Sequence, residues 1–103
     1  MSIDHIADFD GFDWDKGNSD KNRLRHDVSD GECEEIFFNA PLFFFDDAKH
    51  SDQELRFAAF GLTNSGRSLT VVFTRRKKLV RVISARDMNR KERKVFKDYE
   101  KNT

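Results

Sequence analysis

LVRVISAR, residues 79–86, is an apolar strand pattern that carries two arginines, Arg81 and Arg86. A buried strand rarely contains an arginine unless a fixed cation is needed there. The pattern ends just before a basic helix that is predicted to begin near Asp87. The segment therefore predicts a central strand of a small sheet that presents guanidinium groups to a ligand bearing phosphate groups.

The two arginines differ in parity along this strand. Because successive side chains of a strand alternate between its two faces, both can meet one ligand only if the strand twists or ends near Ser84. Arg81 also has a structural interpretation, in which its aliphatic stem packs under a helix while its guanidinium reaches water. The sequence does not decide between these interpretations.

Four consecutive strands are predicted in the second half of the chain. Apolar runs of strand length are separated there by turn-forming residues, as in a series of hairpins. Gly61–Arg67 is typical of a hairpin loop, and Arg75–Lys78 is predicted to be a turn of four cations. The predicted strands are Leu42–Phe45, Glu54–Phe60, Leu69–Thr74 and Leu79–Ser84.

Three helices and one further strand complete the predicted fold. FDWD, residues 12–15, alternates apolar and acidic residues like a half-buried strand. Ser29 and Glu32 fit a capping box, which predicts a helix over Ser29–Asn39. The order β-α-α-β-β-β-β-α indicates an α+β class, with a small antiparallel sheet packed against helices. The other predicted helices are Lys16–His26, capped by Asp15, and Met88–Lys101.

Length and composition indicate one domain. A chain of 103 residues can build a single core, which is predicted over residues 9–101, and Met1–Asp8 is expected to be a flexible acidic extension. No apolar run approaches the length of a membrane span and the acidic start does not resemble a secretory signal, so a cytoplasmic location is expected. The lone Cys33 is interpreted as a small buried residue without chemistry.

The charges are separated along the chain. Residues 1–54 contain 5 Lys/Arg and 15 Asp/Glu, whereas residues 55–103 contain 14 and 4, although the net charge is zero. The basic half can form a surface for nucleic acid or for an acidic partner. The alternative is that the two halves pack together and neutralise each other, and composition favours neither.

The sequence contains no Gly-rich phosphate loop, paired-cysteine zinc pattern or serine elbow. The candidate catalytic groups instead come from separate segments: His50 from a loop, Glu54 and Arg56 from one strand, and Arg81 and Arg86 from LVRVISAR. RNA is cleaved through its own 2′-hydroxyl group when a base, an acid and cations act together, without a metal or other cofactor. His50 and Glu54 are candidates for the base and the acid. The alternative for Glu54 and Arg56, which share a face of a strand, is a surface ion pair.

Four consecutive cations, Arg75, Arg76, Lys77 and Lys78, are candidates for contacts with an RNA backbone, together with the final helix. More often, such a run of cations only keeps a turn exposed to water. The aromatic run Phe43–Phe45 could stack on bases, but most of the 11 phenylalanines of so small a chain must belong to the core.

Together these residues resemble the BrnT family of bacterial type II toxins, which are ribonucleases with a RelE-like fold. The resemblance covers about Phe12–Tyr99 and is most specific in the ISAR element, combined with the upstream pattern H-x-x-x-E-x-R at residues 50–56. The chain reads RHDV at residues 25–28 where the family usually reads KHGV, so Asp27 occupies a turn that favours glycine. The other matching elements are FDWD at 12–15, Asn22, Gly61, VVFTRR at 71–76 and ER at 92–93.

The resemblance implies a metal-independent endoribonuclease that halts translation, with the five candidate catalytic residues named above in its active site. It also implies neutralisation by a BrnA-type antitoxin with a ribbon-helix-helix DNA-binding domain. The toxin would then contact DNA only as part of the antitoxin complex. RNA is the implied substrate, and no membrane partner is expected. The alternative is a non-catalytic or degenerate module that binds an antitoxin partner or RNA.

Overall fold

The computed structural model describes residues 9–47 and 54–102 of the chain. These residues form helices packed against one five-stranded sheet, which is an α+β arrangement. In chain order the elements are β1 (Gly11–Phe12), α1 (Lys21–His26), α2 (Asp30–Glu35), a 3-10 turn (Ile36–Phe38), β2 (Phe43–Asp46), β3 (Arg56–Leu62), β4 (Ser68–Arg76), β5 (Leu79–Asp87) and α3 (Arg90–Lys101). The strands lie in the spatial order β1-β5-β4-β3-β2, so β5, which contains all of LVRVISAR, lies between β1 and β4.

The sheet is mixed rather than purely antiparallel. Strands β2 to β5 pair antiparallel, but β1 runs parallel to β5, with Gly11 opposite Leu79 and Phe12 opposite Val80. The predicted antiparallel sheet is therefore wrong at this edge, because the first strand reaches β5 by a long crossover and not by a hairpin. Of the predicted FDWD strand only Phe12 lies within β1, and the chain then leaves the sheet.

The hairpin between β4 and β5 is tighter than predicted. Arg75 pairs with Val80 and Arg76 pairs with Leu79, so the turn contains only Lys77 and Lys78. Lys77 has a φ of 56°. Two-residue turns with positive φ match the right-handed twist of the flanking strands, and the ladder therefore continues through the two arginines. The prediction of a four-residue turn is wrong.

The edge of β5 beyond β1 is closed by two asparagine side chains. Asn18, which is 5% exposed, donates from Nδ2 to the Val82 carbonyl at 3.0 Å. Asn22, which is 4% exposed, accepts at Oδ1 a hydrogen bond from the Ala85 N–H at 2.9 Å. A helix over Lys16–His26 would not place Asn18 in this way, and residues 16–20 form turns so that α1 begins only at Lys21. The amide groups replace the hydrogen bonds of a missing strand.

Replacing Asn22 by alanine is expected to lower the free energy of unfolding by about 1–3 kcal/mol, because the Ala85 N–H would remain buried without its acceptor. Urea unfolding measures the change. Lys21→Ala, one residue earlier on the exposed side of α1, is the matched control and should leave the midpoint almost unchanged. Equal midpoints for the two variants would contradict the assigned role of Asn22.

Helix α2 begins as predicted from its capping box. The Glu32 N–H donates to Ser29 Oγ at 3.1 Å, and the Ser29 N–H donates to Glu32 Oε1 at 3.0 Å. Val28 and Cys33 are both fully buried, as a hydrophobic staple requires. The α-helix is shorter than predicted, since it ends at Glu35 and continues as the 3-10 turn. The full burial of Cys33 confirms its interpretation as a small core residue, and this burial raises the pKa of its thiol to about 12.

Asp27 ends α1 in the left-handed conformation, with φ 55° and ψ 41°. The Asp27 N–H donates to the Arg23 carbonyl, which closes the helix. Glycine is the favoured residue in this conformation, and aspartate is one of the few others that adopt it. Asp27 thus adopts the backbone conformation that favours glycine at this turn.

Arg67 joins four separate parts of the fold. Its Nε and Nη2 atoms donate to the Asp87 carboxylate at 2.6 and 3.0 Å, at the end of β5. Its Nη1 atom donates to the Asp27 carbonyl at 2.6 Å and to Glu32 Oε2 at 3.2 Å, and Nη2 also reaches the His26 carbonyl at 3.3 Å. The hairpin loop after β3 is thereby fixed to α1, α2 and β5.

The two faces of the sheet are covered differently. On one face, the Phe37 ring of the 3-10 turn packs against Phe73 of β4, with centroids 5.2 Å apart, over a core that includes Val71 and Val82. On the other face, α3 packs through Phe96, whose ring lies 5.5 Å from Phe43 of β2. Helix α3 covers only part of this second face. No helix within the described ranges is long and apolar enough to cross a membrane.

Candidate active site

A hollow with a volume of about 360 Å³ lies on the second face of the sheet, beside the start of α3. Two guanidinium groups, two hydroxyl groups and two carboxylates line it, over a floor of small and apolar side chains. The lining residues are Asp47, Arg56, Ala58, Thr70, Val72, Ile83, Ser84, Arg86 and Glu92. Three strands and a helix therefore contribute to one polar site.

A β-bulge in β5 determines which arginines share this face. Arg81 pairs with Thr74 and Ser84 pairs with Val72, so three steps along β5 match two steps along β4. The extra residue reverses the alternation of side chains, and Arg86, which pairs with Thr70, lies on the same face as Arg81. The parity conflict in LVRVISAR is thus resolved by a bulge and not by the end of the strand.

Arg86 is held by Glu92 in a two-point ion pair. Its Nη1 and Nη2 atoms donate to the two carboxylate oxygens at 2.6 and 2.9 Å. Burial alone would raise the pKa of Glu92, but hydrogen bonds from Arg86 and from the Asn89 N–H outweigh it, so that the pKa lies below its usual value. The pair keeps one positive and one negative charge at the rim of the hollow.

Arg81 lies outside the lining of the hollow. Its guanidinium donates to both carboxylate oxygens of Asp15 at 2.9 and 3.0 Å and lies 3.6 Å from Asp13, and its side chain is only 12% exposed. The hydrogen bonds from Arg81 also hold the pKa of Asp15 below its usual value. Arg81 therefore links β5 to the segment that follows β1.

The remaining predicted catalytic residues are placed differently from one another. Arg56 begins β3, is half-buried and lines the hollow with Arg86. Glu54 precedes the strand instead of belonging to it, and its Oε2 atom lies 4.0 Å from Arg76 Nε. The prediction that Glu54 and Arg56 share one face of a strand is wrong for that reason. His50 lies outside the described residues.

The predicted RNA-contacting cations lie at the far end of β4 and β5. Arg75 Nε donates to the Lys77 carbonyl at 2.8 Å, so part of its side chain serves the turn. Arg76, Lys77 and Lys78 are exposed. A second exposed set of cations follows one side of α3 and consists of Arg90, Lys91, Arg93, Lys94, Lys97 and Lys101.

Four polar lining residues were not predicted from the sequence as part of a site. Ser84 lies two residues before Arg86, and this spacing on a strand was a usable signal. Glu92 follows Asn89 by three residues, which is the spacing of a capping box. Thr70 lies in β4 and Asp47 directly follows β2, and nothing local in the sequence indicates their position.

A comparison with protein families gives one match that covers most of the chain. The sequence model of the family described as "Ribonuclease toxin, BrnT, of type II toxin-antitoxin system" matches residues 14–92. The chain belongs to the BrnT family. A search of individual curated proteins gave no match. As a BrnT-family protein, the chain is a ribonuclease toxin of a type II toxin-antitoxin system, which implies an RNA substrate and an antitoxin partner.

The span matched by the BrnT family contains the whole lining of the hollow. Glu92 is the last residue matched, so the remainder of α3, with four of its six cations, follows the matched span. Within the ranges that the structure describes, no three His, Cys, Asp or Glu side chains are grouped so that they could hold a metal ion.

Proposed function

We propose that this BrnT-family protein has a RelE-like toxin fold and is an endoribonuclease that binds RNA in the hollow and cleaves it by metal-independent acid–base chemistry. The observation that carries the proposal is the convergence of Arg56 and Arg86 on one concave, polar surface of the sheet. Two guanidinium groups on one surface suit a phosphodiester, whose charge increases as the reaction proceeds.

The proposed reaction is attack of an RNA 2′-hydroxyl group on the adjacent phosphorus atom. A base removes the hydroxyl proton, the bond to the 5′-oxygen breaks, and an acid protonates that oxygen. Arg56 and Arg86 stabilise the additional charge on the phosphorane oxygens. The products of this step are a 2′,3′-cyclic phosphate and a free 5′-hydroxyl group.

His50 and Glu54 are proposed as the base and the acid, in either order. His50 follows Asp47 by three residues in the chain, and Asp47 lines the hollow. A histidine titrates near neutral pH and can serve as either group. Arg81 is retained as a candidate for direct contact with the substrate, and cleavage by Arg81→Ala at the wild-type rate would assign it a structural role instead.

The exposed cations Arg76, Lys77 and Lys78, together with Arg75 and the basic side of α3, are proposed to contact the RNA backbone. The exposure of Arg76, Lys77 and Lys78 supports this role, because exposed cations can reach and neutralise phosphates. We further propose that cleavage inhibits translation in the cytoplasm. The proposed partner is a BrnA-type ribbon-helix-helix antitoxin, through which the complex binds DNA.

Cleavage by the purified protein is expected to persist in excess EDTA, because the proposed chemistry needs no metal ion. The assay incubates purified full-length protein with cellular RNA and examines the ends of the products. Cyclic phosphate ends in EDTA support the proposal. Loss of cleavage in EDTA that is restored by a divalent cation would contradict the metal-independent mechanism.

A second candidate function is binding without cleavage, and the row of cations along α3 favours it. Expression of the protein alone and together with its antitoxin separates the two functions. Growth arrest that is relieved by the antitoxin, accompanied by new RNA ends, supports the ribonuclease. Normal growth and intact RNA, with retained binding of RNA by the purified protein, would support the binding module.

A further inference from the structure

The Glu92 carboxylate makes two kinds of contact at the start of α3. Its Oε1 atom accepts hydrogen bonds from Arg86 Nη1 at 2.6 Å and from the Asn89 N–H at 2.9 Å, while Oε2 accepts from Arg86 Nη2 at 2.9 Å. The Glu92 side chain is only 17% exposed. One carboxylate thus completes the capping box of α3 and also holds Arg86, an arginine of the hollow, in a two-point ion pair, which is called the grip on Arg86 below.

The ion pair with Glu92 leaves the Nε–Nη2 edge of the Arg86 guanidinium for a ligand. Glu92 occupies the end formed by Nη1 and Nη2, and Nη1 also donates to the Asp87 carbonyl at 3.3 Å. Nε and the second Nη2 proton make no hydrogen bond to any residue in the ranges 9–47 and 54–102. These two donors form a planar pair that matches two oxygens of a phosphate group.

An arginine side chain has many rotamers, and its guanidinium acts on a transition state only when its position is fixed. Glu92 belongs to the first turn of α3, which is anchored on the sheet by Met88 and Phe96, at 2% and 6% exposure. The helix therefore supplies a fixed point for the guanidinium. A surface ion pair of two mobile side chains could not do this.

We propose that Glu92 is a positioning residue that orients Arg86, with its Nε–Nη2 edge toward the scissile phosphate group. This inference rests on the proposed ribonuclease function and assigns a role to a residue beyond the five candidates. Glu92 itself does not contact the substrate. It acts through Arg86, and its effect on cleavage therefore depends on the presence of Arg86.

The test compares Glu92→Gln with Asn89→Ala. Glutamine retains the size of glutamate and can still accept from the Asn89 N–H, but it loses the charge and one acceptor for Arg86. Asn89→Ala removes the other half of the capping box, the hydrogen bond from the Glu92 N–H to Asn89 Oδ1 at 2.8 Å, and leaves the Arg86 pair intact. The two variants separate the grip on Arg86 from the capping of α3.

The assay uses a short fluorescent RNA that the wild-type protein cleaves. Glu92→Gln is expected to lower kcat by at least about tenfold with a smaller change in KM, since a misplaced catalytic group slows the chemical step. Asn89→Ala should change kcat by less than about threefold. In an Arg86→Ala background, Glu92→Gln should cause no further loss, because residues that act through one another are not additive.

Equal kcat values for Glu92→Gln and Asn89→Ala would overturn the proposal, as would an undiminished effect of Glu92→Gln in the Arg86→Ala background. If Glu92→Gln does not fold, Glu92→Asp provides the same test, since aspartate retains the charge but is too short for the two-point grip. Absence of cleavage by the wild-type protein would instead refute the ribonuclease proposal. In that case the NMR signal of Arg86 Nε–H still tests the grip: a sharp signal in the wild type that broadens in Glu92→Gln supports it, and identical signals contradict it.

Discussion

Arg86→Ala is expected to lower kcat/KM for RNA cleavage by about 10²–10³-fold, which is the usual cost of removing one preorganised donor from a developing oxyanion. Arg86 lines the hollow with Arg56 and is held in place by two hydrogen bonds to Glu92. Arg86→Lys retains the charge but not the planar pair of donors, and it should recover no more than about a tenth of the lost activity. Initial rates on a defined RNA measure both effects.

The matched control for Arg86→Ala is Arg23→Ala, which removes an exposed cation from α1 and should leave the rate close to that of the wild type. Thermal unfolding establishes that each variant is folded. A folded Arg86→Ala variant that cleaves RNA at the wild-type rate would show that the hollow is not the active site.

Arg67→Ala is expected to lower the free energy of unfolding by about 2–4 kcal/mol, because a partly buried charge network would lose its central cation. For a domain of this size the loss corresponds to a fall in Tm of roughly 10–20 °C. Differential scanning calorimetry measures it. Arg25→Ala, an exposed arginine of α1, is the control and should shift Tm by no more than a few degrees.

The free energy of unfolding of Arg67→Ala should depend less on acid pH than that of the wild type. Hydrogen bonds from Arg67 hold the pKa of Asp87 below its usual value, and hydrogen bonds from Ser29 and Arg67 do the same for Glu32 against the opposing effect of burial. A carboxyl group with a lowered pKa in the folded state stabilises the protein above its unfolded pKa, near 4, and loses this contribution as the pH falls through the folded pKa. Urea unfolding should therefore show a shallower decline below pH 4.5 for Arg67→Ala than for the wild type. Parallel declines would contradict the role assigned to the network.

Local signals in the sequence were sufficient for much of the fold. The capping box at Ser29 and Glu32 and the burial of Cys33 depend on residues close together in the chain, and both predictions are confirmed. The α+β class followed from hairpin-like spacing in the same way. The turn at Asp27 was identified differently, from the glycine that the BrnT family usually carries there, and Asp27 adopts the left-handed conformation.

The candidate site was only partly predictable, because it depends on contacts between distant residues. Arg56 and Arg86 converge as a result of the bulge in β5, and alternation along the strand predicted the opposite face for one arginine of the pair Arg81 and Arg86. The Arg81–Asp15 contact spans 66 residues, and no local pattern indicates such a partner. The role of His50 stays a prediction from the sequence.

Asn18 and Asn22, which hydrogen-bond to the edge of β5, also limit how the sheet can be extended. An open strand edge is a template on which another chain can add its own strand, which leads to edge-to-edge polymers or to strand exchange. The Asn18 and Asn22 amides occupy the Val82 carbonyl and the Ala85 N–H, two of the backbone groups of β5 that an added strand would need. A partner that extends this sheet by strand addition is therefore expected at the opposite margin, along β2.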